Sequence, residues 1–400
     1  MNAITIIGSG MAGITLAREF RKLDPSTPLR IITADDGGFY AKPMLSNAFA
    51  LRKSPAQLVT QTATQLAEQY QLEIMTHTRV LHIDSARKII QTDAGEVTYS
   101  KCVLATGAQA IRLNIAGDGA QEIMAINHLD DYRQFRLRIE QLTKVKTQIH
   151  IAIIGAGLIG CEFADDLARA GFHIDLIDPN QAPLAALLAP RAATELHDAL
   201  QRAGVTFHAG CTTTSVTRTS AGHASRLQIS LSNGKLINAD LVLSAVGLRP
   251  DLHLAHTLTP TALQTDRGIC INVYGETSAQ DIYALGDNAQ YARADGVHQL
   301  LPYIAPIMAA AKAIAHNLQG APRPIQFTPT PIIVKTPSYP VATLAPPPGI
   351  TGNWEYTFTT QGDSTQLCAR FFDLQNHIQG FTLAPHQASS RAALLAEMSD

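Results

Sequence analysis

The feature that most constrains this chain is a glycine-rich turn near its start, in the stretch from Thr5 to Gly13. The stretch reads Thr-Ile-Ile-Gly-Ser-Gly-Met-Ala-Gly, which predicts a buried strand, a tight turn and the start of a helix. In such a turn Gly8 permits the bend, Gly10 lets the backbone approach a ligand, and Gly13 lets the helix pack closely on the strand. Because a helix N-terminus offers unpaired N–H groups and the positive end of a dipole, the pattern predicts a site for a dinucleotide pyrophosphate. The predicted cofactor-binding residues of this first glycine loop are Gly8, Ser9, Gly10, Met11, Ala12 and Gly13.

The same pattern occurs again at residues 151–160, which read Ile-Ala-Ile-Ile-Gly-Ala-Gly-Leu-Ile-Gly. One Gly-x-Gly-x-x-Gly is a moderate signal, whereas two in one chain indicate two dinucleotides held face to face. The predicted cofactor-binding residues of this second glycine loop are Gly155, Gly157, Leu158, Ile159 and Gly160.

After each glycine loop, a second predicted strand ends at an acidic residue. In the first repeat the acid is Asp35, with Asp36 as the alternative, and its role is either to bind a ribose or to form the Asp-Asp-Gly-Gly turn. Its neighbours Thr33 and Ala34 are included among the predicted cofactor-binding residues. In the second repeat the acid is Asp178, which is followed by proline and asparagine rather than by arginine. An acid here accepts hydrogen bonds from the ribose hydroxyls and repels a 2′-phosphate, so the sequence favours NADH over NADPH.

Other predicted strands also end in residues suited to a ligand. One ends in Ala-Thr-Gly, its counterpart after the second loop leads to a glycine, and a later strand ends in Gly-Asp. The repeated arrangement supports two homologous lobes, and the aspartate of the Gly-Asp pair can accept hydrogen bonds from a ribityl chain. The predicted cofactor-binding residues at these strand ends are Ala105, Thr106, Gly107, Gly247, Gly286 and Asp287.

Periodicity and turn residues predict the remaining elements. Helices are expected over residues 11–23, 54–72, 126–142 and 300–318, and short strands with turns over residues 73–99. From residue 321 onward prolines cluster, which predicts a small third domain with short strands and no phosphate loop.

Composition argues against several classes of protein. With 46% hydrophobic and 16% charged residues the chain is core-forming, and a net charge of −2 argues against a general nucleic-acid binder. No apolar run reaches the roughly 18–20 residues of a membrane helix, so no membrane insertion is expected. A fold strand at residues 4–7 leaves no room for a cleavable leader, so a cytoplasmic location is expected. The five cysteines include no C-x₂-C or C-x₄-C pair, which predicts reduced thiols, no metal site and no neighbouring redox disulfide.

Four blocks taken together resemble the two-dinucleotide-binding flavoprotein reductases: the two glycine loops, the Ala105-Thr106-Gly107 strand end and residues 277–287. The chain further resembles the rubredoxin reductase branch of this family from residue 1 to about residue 345. The segments that carry this second resemblance are residues 34–37, 42–46, 157–164, 243–250 and 334–337.

This resemblance implies an α/β fold with two Rossmann-like lobes, one for FAD and one for NAD, and a small C-terminal α+β domain. It implies an FAD-binding domain at residues 1–112 and 247–322, an NAD-binding domain at 113–246 and a C-terminal domain at 323–400.

The resemblance also implies roles for single residues. Positions that line FAD in the family correspond to Lys42, Val80, Glu162, Asp287, Ile304 and Lys335. The candidate catalytic residues are Lys42 and Glu162, expected to form an ion pair beside the flavin, and Lys335, expected to stabilise the anionic reduced flavin. The alternatives are a solvated loop lysine for Lys42, a helix-dipole role for Glu162 and a surface lysine for Lys335. Asn288 departs from the family, in which cysteine is common after Gly-Asp, and little consequence is expected.

The function implied by the resemblance is electron transfer from NADH, by hydride transfer to FAD, and then singly to rubredoxin, a small acidic iron protein. Supply of an alkane hydroxylase is implied in the same way, and a monomer or weak dimer is expected. The alternatives are an NADH–ferredoxin reductase of a dioxygenase or cytochrome system, a slow redox-sensing flavoprotein and a membrane-associated quinone reductase.

Overall fold

The computed structural model describes residues 2–219, 226–293, 296–361 and 364–398, and these form two compact units. Unit 1 takes in the chain up to Lys42, Ala56–Gln109 and Leu248–Thr328. Unit 2 takes in Pro43–Pro55, Ala110–Gly247 and the chain from Pro329 onward. Four short elements lie at the boundaries between the units: the 3₁₀ helix Lys42–Asn47, the helix Pro55–Leu58, and the strands Ala108–Ala110 and Leu248–Pro250.

Unit 1 is built on a parallel sheet whose central strand is Ile4–Ile7. The strand order is Ile282–Ala284, Cys102–Leu104, Ile4–Ile7, Leu29–Ile32 and Glu73–Met75. The chain leaves the central strand for a neighbour on one side and later returns on the other side, so the first glycine loop lies where the strand order reverses. Ligands bind at this point in open α/β sheets.

Helices and small sheets complete unit 1. The helices are Met11–Leu23, Ala63–Tyr70, His253–Thr257 and Ile304–Leu318. The further strands are Phe39–Tyr40, Val59–Gln61, Val80–Asp84, Ile89–Thr92, Gly95–Thr98, Ile269–Ile271, Ala289–Ala292 and His298–Leu300. In the helix Met11–Leu23, which matches the predicted bounds, Leu16 and Phe20 are buried against the sheet and Leu23 packs at its edge.

Unit 2 repeats this plan around the central strand His150–Ile154. Its parallel sheet has the order Met124–Ala125, Leu241–Ser244, His150–Ile154, His173–Asp178 and Val205–Ala209. An antiparallel sheet of Thr213–Arg218, Leu227–Leu231 and Leu236–Ala239 follows, with an Asn233-Gly234 turn in its second hairpin. The helices are Leu129–Thr143, Leu158–Arg169 and Pro190–Arg202, with a 3₁₀ turn at Ala120–Glu122. The second glycine loop therefore lies at the strand-order reversal of its own sheet.

The C-terminal part of unit 2 is an antiparallel sheet with one helix. The strand order is Ile332–Val334, Val341–Leu344, Ile378–Ala384, Ser364–Asp373 and Gly352–Gln361. The helix Ala388–Glu397 packs on it through Leu394, which contacts a small core that contains Phe381 and Leu383.

Two predicted elements are wrong. Residues 54–72 are not one helix, because the strand Val59–Gln61 pairs with Phe39–Tyr40 and Thr62 then caps a new helix by accepting the Gln65 N–H. The C-terminal strands are not all short, because two strands of 10 residues form a hairpin. In the first of these strands aromatic residues alternate with polar ones, a pattern that favours an extended strand.

Candidate functional site

The first glycine loop has the packing that the sequence predicts. Gly8 has a φ of +112°, and a Cβ there would lie 2.3 Å from the Ala105 carbonyl O. A Cβ on Gly13 would lie 2.0 Å from the Gly8 carbonyl O, so the helix can approach the strand only because this residue is glycine. A Cβ on Gly10 would meet nothing within 4 Å, which leaves open space over the helix N-terminus. Open backbone at a helix start fits the pyrophosphate of FAD.

The second glycine loop repeats this geometry inside unit 2. Gly155 has a φ of +103°, and its Cβ would lie 2.7 Å from the Ala245 carbonyl O. A Cβ on Gly160 would lie 1.9 Å from the Gly155 carbonyl O, whereas one on Gly157 would meet nothing within 4 Å. Each unit therefore holds its own loop with an open middle glycine, as two separate dinucleotide sites require.

The acids at the ends of the second strands brace the glycine loops. Oδ1 of Asp35 accepts hydrogen bonds from the Thr33 hydroxyl at 2.6 Å, the Ser9 hydroxyl at 3.1 Å and the Gly37 N–H at 2.9 Å. Asp35 thus has the turn role that was one of its two alternatives, and ribose binding stays a prediction. The Ala34 side chain is exposed beside this cluster.

Asp178 is more deeply engaged, with 7% of its surface exposed. Its Oδ2 accepts the Ala156 N–H of the second loop at 2.6 Å, and its Oδ1 accepts both the backbone N–H and the side-chain amide of Asn180 at 2.8 Å. These bonds hold a negative charge beside the glycine loop. A 2′-phosphate would be repelled there, and the role of Asp178 in selecting NADH stays a prediction.

The Gly-Asp strand end of unit 1 lies against the first glycine-loop helix. Gly286 has a φ of +89°, and a Cβ there would lie 2.8 Å from the Ala12 Cβ. Its N–H donates to the buried Tyr291 hydroxyl at 2.9 Å, so that N–H is not free for a phosphate. Burial raises the pKa of Asp287 above its ordinary value, and the positive charge of Lys42 offsets part of this increase. Lys42 therefore acts electrostatically on a carboxyl that is suited to accept hydrogen bonds from a ribityl chain.

The Glu162 carboxylate is the centre of a buried polar cluster in unit 2. Only 1% of its side chain is exposed, and its Oε2 lies 3.0 Å from the Lys335 ammonium Nζ. The Ser46 hydroxyl donates to the same oxygen at 2.5 Å, and the Lys335 N–H donates to Oε1 at 3.0 Å. Lys335 Nζ also donates to the Pro43 carbonyl O. Lys335 is thus paired with Glu162 and is not only a surface lysine. The predicted Lys42–Glu162 pair involves residues of different units and stays a prediction.

Two further acids on the helix Leu158–Arg169 hold other segments of unit 2. Asp166 accepts the N–H groups of Phe49 and Ala50 at 2.8 and 2.9 Å, and burial raises its pKa to about 6. Asp165 is fully buried and accepts the Ser338 N–H at 3.2 Å. The helix that starts at the second glycine loop therefore anchors both the segment 43–55 and the segment 335–338.

The other predicted site residues occupy less distinctive positions. Val80 begins a strand and packs against the unit 1 core, while Ile304 begins the helix Ile304–Leu318 with 48% of its surface exposed. Gly107 and Gly247 have φ values of +73° and +108°, which favour glycine. The remaining predicted residues Met11, Ala105, Leu158 and Ile159 belong to the strand ends and helix starts described above.

Sequence reasoning missed Ser46, Asp165 and Asp166 as polar partners. A signal was present for the two acids, since Asp165 and Asp166 lie three and four positions after Glu162 on a helix whose other residues before Arg169 are apolar. Ser46 lies 116 positions from its partner, and nothing local indicates that pairing.

All five cysteines are free thiols in the structure, and four of them are buried. Within the described ranges, no group of three or more His, Cys, Asp or Glu side chains is placed to hold a metal ion. Over the same residues, none of the helices combines the length and the apolar character that crossing a membrane requires.

Two units that each place a glycine loop between a parallel sheet and a helix define a protein that binds two dinucleotides. The chain belongs to the pyridine nucleotide-disulphide oxidoreductase family, whose model matches residues 2–315. A second model, described as a rubredoxin binding C-terminal domain, matches residues 324–398.

Individual relatives agree with this family. A rubredoxin-NAD(+) reductase of Acinetobacter baylyi is 39% identical over 402 residues, covering 100% of this chain and 98% of the relative. A nitric oxide reductase FlRd-NAD(+) reductase of Aeromonas hydrophila is 34% identical over 395 residues, covering 99% and 96%. The structure of a covalent putidaredoxin reductase–putidaredoxin complex matches with a TM-score of 0.85 and 20% identity, covering 100% and 93%, and shows the shared fold.

These comparisons confirm the predicted fold class, the oxidoreductase class and the pairing of FAD with NADH. They also confirm the resemblance to rubredoxin reductases on which the sequence interpretation rested.

Proposed function

We propose that this chain is an NADH-dependent reductase that delivers electrons to rubredoxin. The observation that carries the proposal is the order of the two family matches. A nucleotide-binding model covers residues 2–315 and a rubredoxin-binding model covers residues 324–398. The relative at 39% identity, which has nearly the same length, is named for the same acceptor.

FAD, when bound, supplies the exchange between the two electrons of a hydride and the single electrons that an iron centre accepts. In unit 1 we assign its pyrophosphate to the open backbone at Gly10 and its ribityl chain to Asp287. In unit 2 we assign the NADH pyrophosphate to the open backbone at Gly157. We assign to Asp178 the exclusion of nucleotides that carry a 2′-phosphate. Because all five cysteines are free and they are far apart in the sequence, no disulfide relay stands between the cofactor and the acceptor.

The polar cluster around Glu162 holds the ammonium group of Lys335 in one position. With the carboxylate 3.0 Å away and the backbone N–H of the same lysine also bound to it, the ammonium is held at one place rather than moving in solvent. A fixed positive charge favours a reduced, anionic cofactor. We therefore keep Lys335 and Glu162 as candidate catalytic residues, and Lys42 as the third through its effect on Asp287.

The proposal also covers the domain organisation of the chain and its cellular setting. We propose a division into an FAD-binding domain, an NAD-binding domain and a C-terminal domain from residue 323. The proposed NAD-binding domain lies within unit 2, and the proposed C-terminal domain belongs to unit 2 from Pro329 onward. A cytoplasmic location, a monomer or weak dimer, and supply of an alkane hydroxylase complete the proposed setting.

A second acceptor is favoured by one observation, the relative at 34% identity named as a nitric oxide reductase FlRd-NAD(+) reductase. An acceptor of that kind would leave both nucleotide sites unchanged and would alter only the surface that contacts it.

The test is an acceptor panel under anaerobic conditions. The protein with FAD bound and NADH as donor is mixed with rubredoxin, with the FlRd acceptor for which the second relative is named, or with a [2Fe–2S] ferredoxin. We expect the highest kcat/KM with rubredoxin and a fall with added salt, because an acidic acceptor docks by charge. Preference for the FlRd acceptor would select the second candidate. Preference for ferredoxin, or no reduction of any acceptor while NADH still bleaches the flavin, would refute both.

A further inference from the structure

Asn288 directly follows the Gly286-Asp287 pair, and its side chain is fully buried in unit 1. Its Nδ2 lies 3.1 Å from the Leu104 carbonyl O and 3.1 Å from the Thr106 Oγ1. Both hydrogens of the carboxamide are therefore directed at the end of the strand Cys102–Leu104. Asn288 ties the two strand ends that the sequence marks as ligand-facing to each other.

These contacts fix the polarity of the Thr106 hydroxyl. A backbone carbonyl can only accept a hydrogen bond, so the end of the carboxamide that faces Leu104 must be the NH₂ group. The same NH₂ group then donates to the Thr106 Oγ1, and the hydroxyl proton of Thr106 must point elsewhere. The structure offers that proton the Asp251 carbonyl O at 3.5 Å, which is at the long limit for a hydrogen bond. The proton is thus left poorly satisfied.

The oxygen end of the Asn288 carboxamide has no hydrogen-bond partner among the described residues. Oδ1 of Asn288 is buried and accepts no hydrogen bond from the described residues. A buried polar atom without a partner is unfavourable, and an apolar side chain of the same size would fill the space without it. The two donated hydrogen bonds are therefore what asparagine contributes here.

We propose that Asn288 is a positioning residue for FAD, which holds the Thr106 hydroxyl as a hydrogen-bond donor toward an electronegative atom of the bound flavin or its ribityl chain. The inference rests on the proposed function only in requiring FAD in unit 1, where the open backbone at Gly10 and the half-buried Asp287 lie. It replaces the expectation that asparagine in place of cysteine has little consequence.

The test measures how FAD is held, independently of any acceptor. FAD fluorescence on serial dilution of the holoprotein gives its Kd, and equilibration with a reference dye gives the flavin midpoint potential. Thr106→Val removes the hydroxyl and Asn288→Leu removes its orienting donor, so each should raise Kd by about tenfold and shift the potential in the same direction. Thr106→Ser keeps the hydroxyl and should stay within about twofold of the wild type.

The decisive comparison is the double variant. If Asn288 acts through Thr106, Asn288→Leu adds no further change to Kd or potential in the Thr106→Val background. Equal effects in both backgrounds, or no effect of Asn288→Leu alone, would overturn the proposal. Asn288→Cys serves as the second variant if leucine prevents folding, because its weak S–H donor should give a smaller change of the same sign. A wild-type protein that binds no FAD would overturn the proposed function as well, whereas additivity with FAD bound overturns this inference alone.

Discussion

The Lys335–Glu162 pair allows a quantitative prediction about stability. Lys335→Met keeps the apolar stem but removes the ammonium, which leaves a carboxylate with 1% exposure beside neutral donors such as the Ser46 hydroxyl. Breaking a buried pair in this way costs about 3–5 kcal/mol. Because 31% of the lysine side chain is exposed, solvent screening lowers the expected loss to about 2–3 kcal/mol. At about 2–4 °C for each kcal/mol, the thermal midpoint should fall by about 8 °C.

The assay is thermal unfolding at pH 7, monitored by circular dichroism, on preparations with matched FAD content. Lys312→Met, at an exposed lysine on the helix Ile304–Leu318, is the control and should change the midpoint by about 2 °C or less. In Lys335→Met/Glu162→Gln both charges are gone, so the double variant should be more stable than Lys335→Met alone. A midpoint for Lys335→Met that matches the control, or a double variant with no recovery, would refute the account of this cluster.

Three further predictions concern unit 2. Burial raises the pKa of Asp166 to about 6, so the folded state holds a proton that the unfolded state has released between about pH 4 and 6. The free energy of unfolding should therefore fall as pH rises through this window, and Asp166→Asn should remove that slope in urea titrations; an unchanged slope would assign it to other groups. The Cβ added in Gly157→Ala would meet no atom within 4 Å, but it would occupy the open backbone assigned to NADH. This variant should therefore raise the KM for NADH with little change in thermal midpoint. Gly160→Ala puts a Cβ 1.9 Å from the Gly155 carbonyl O and should lower the midpoint. Equal midpoints for these two alanine variants would contradict the assigned roles. Asp178→Ala should lower the ratio of kcat/KM with NADH to kcat/KM with NADPH. An unaltered ratio would count against a role of Asp178 in choosing the nucleotide.

The glycine loops were predictable because their requirements are local. A strand, a turn and a helix of fixed geometry need glycine at set spacings, and a steric clash at Gly8 or Gly13 follows from residues close in sequence or in the adjoining strand. The same holds for the helix Met11–Leu23, whose apolar face and bounds can be read from its periodicity.

The polar partners were not predictable in this way. Ser46 and Lys335 lie 116 and 173 positions from Glu162, and only the folded chain brings them to one carboxylate. The role of Asn288 likewise depends on a strand end 184 positions away. The break in the predicted helix at residues 54–72 has the same origin, since a tertiary strand pairing overrides the local helical pattern.

Electron delivery to rubredoxin can be tested directly by a single-turnover mixing experiment without oxygen. The protein is reduced with one equivalent of NADH per FAD and mixed with excess oxidised rubredoxin while the iron chromophore is followed. We expect rapid bleaching of two rubredoxins per FAD, since each accepts one electron, at a rate that falls as salt is added. A rubredoxin spectrum that stays unchanged, while ferricyanide reoxidises the same flavin, would contradict it.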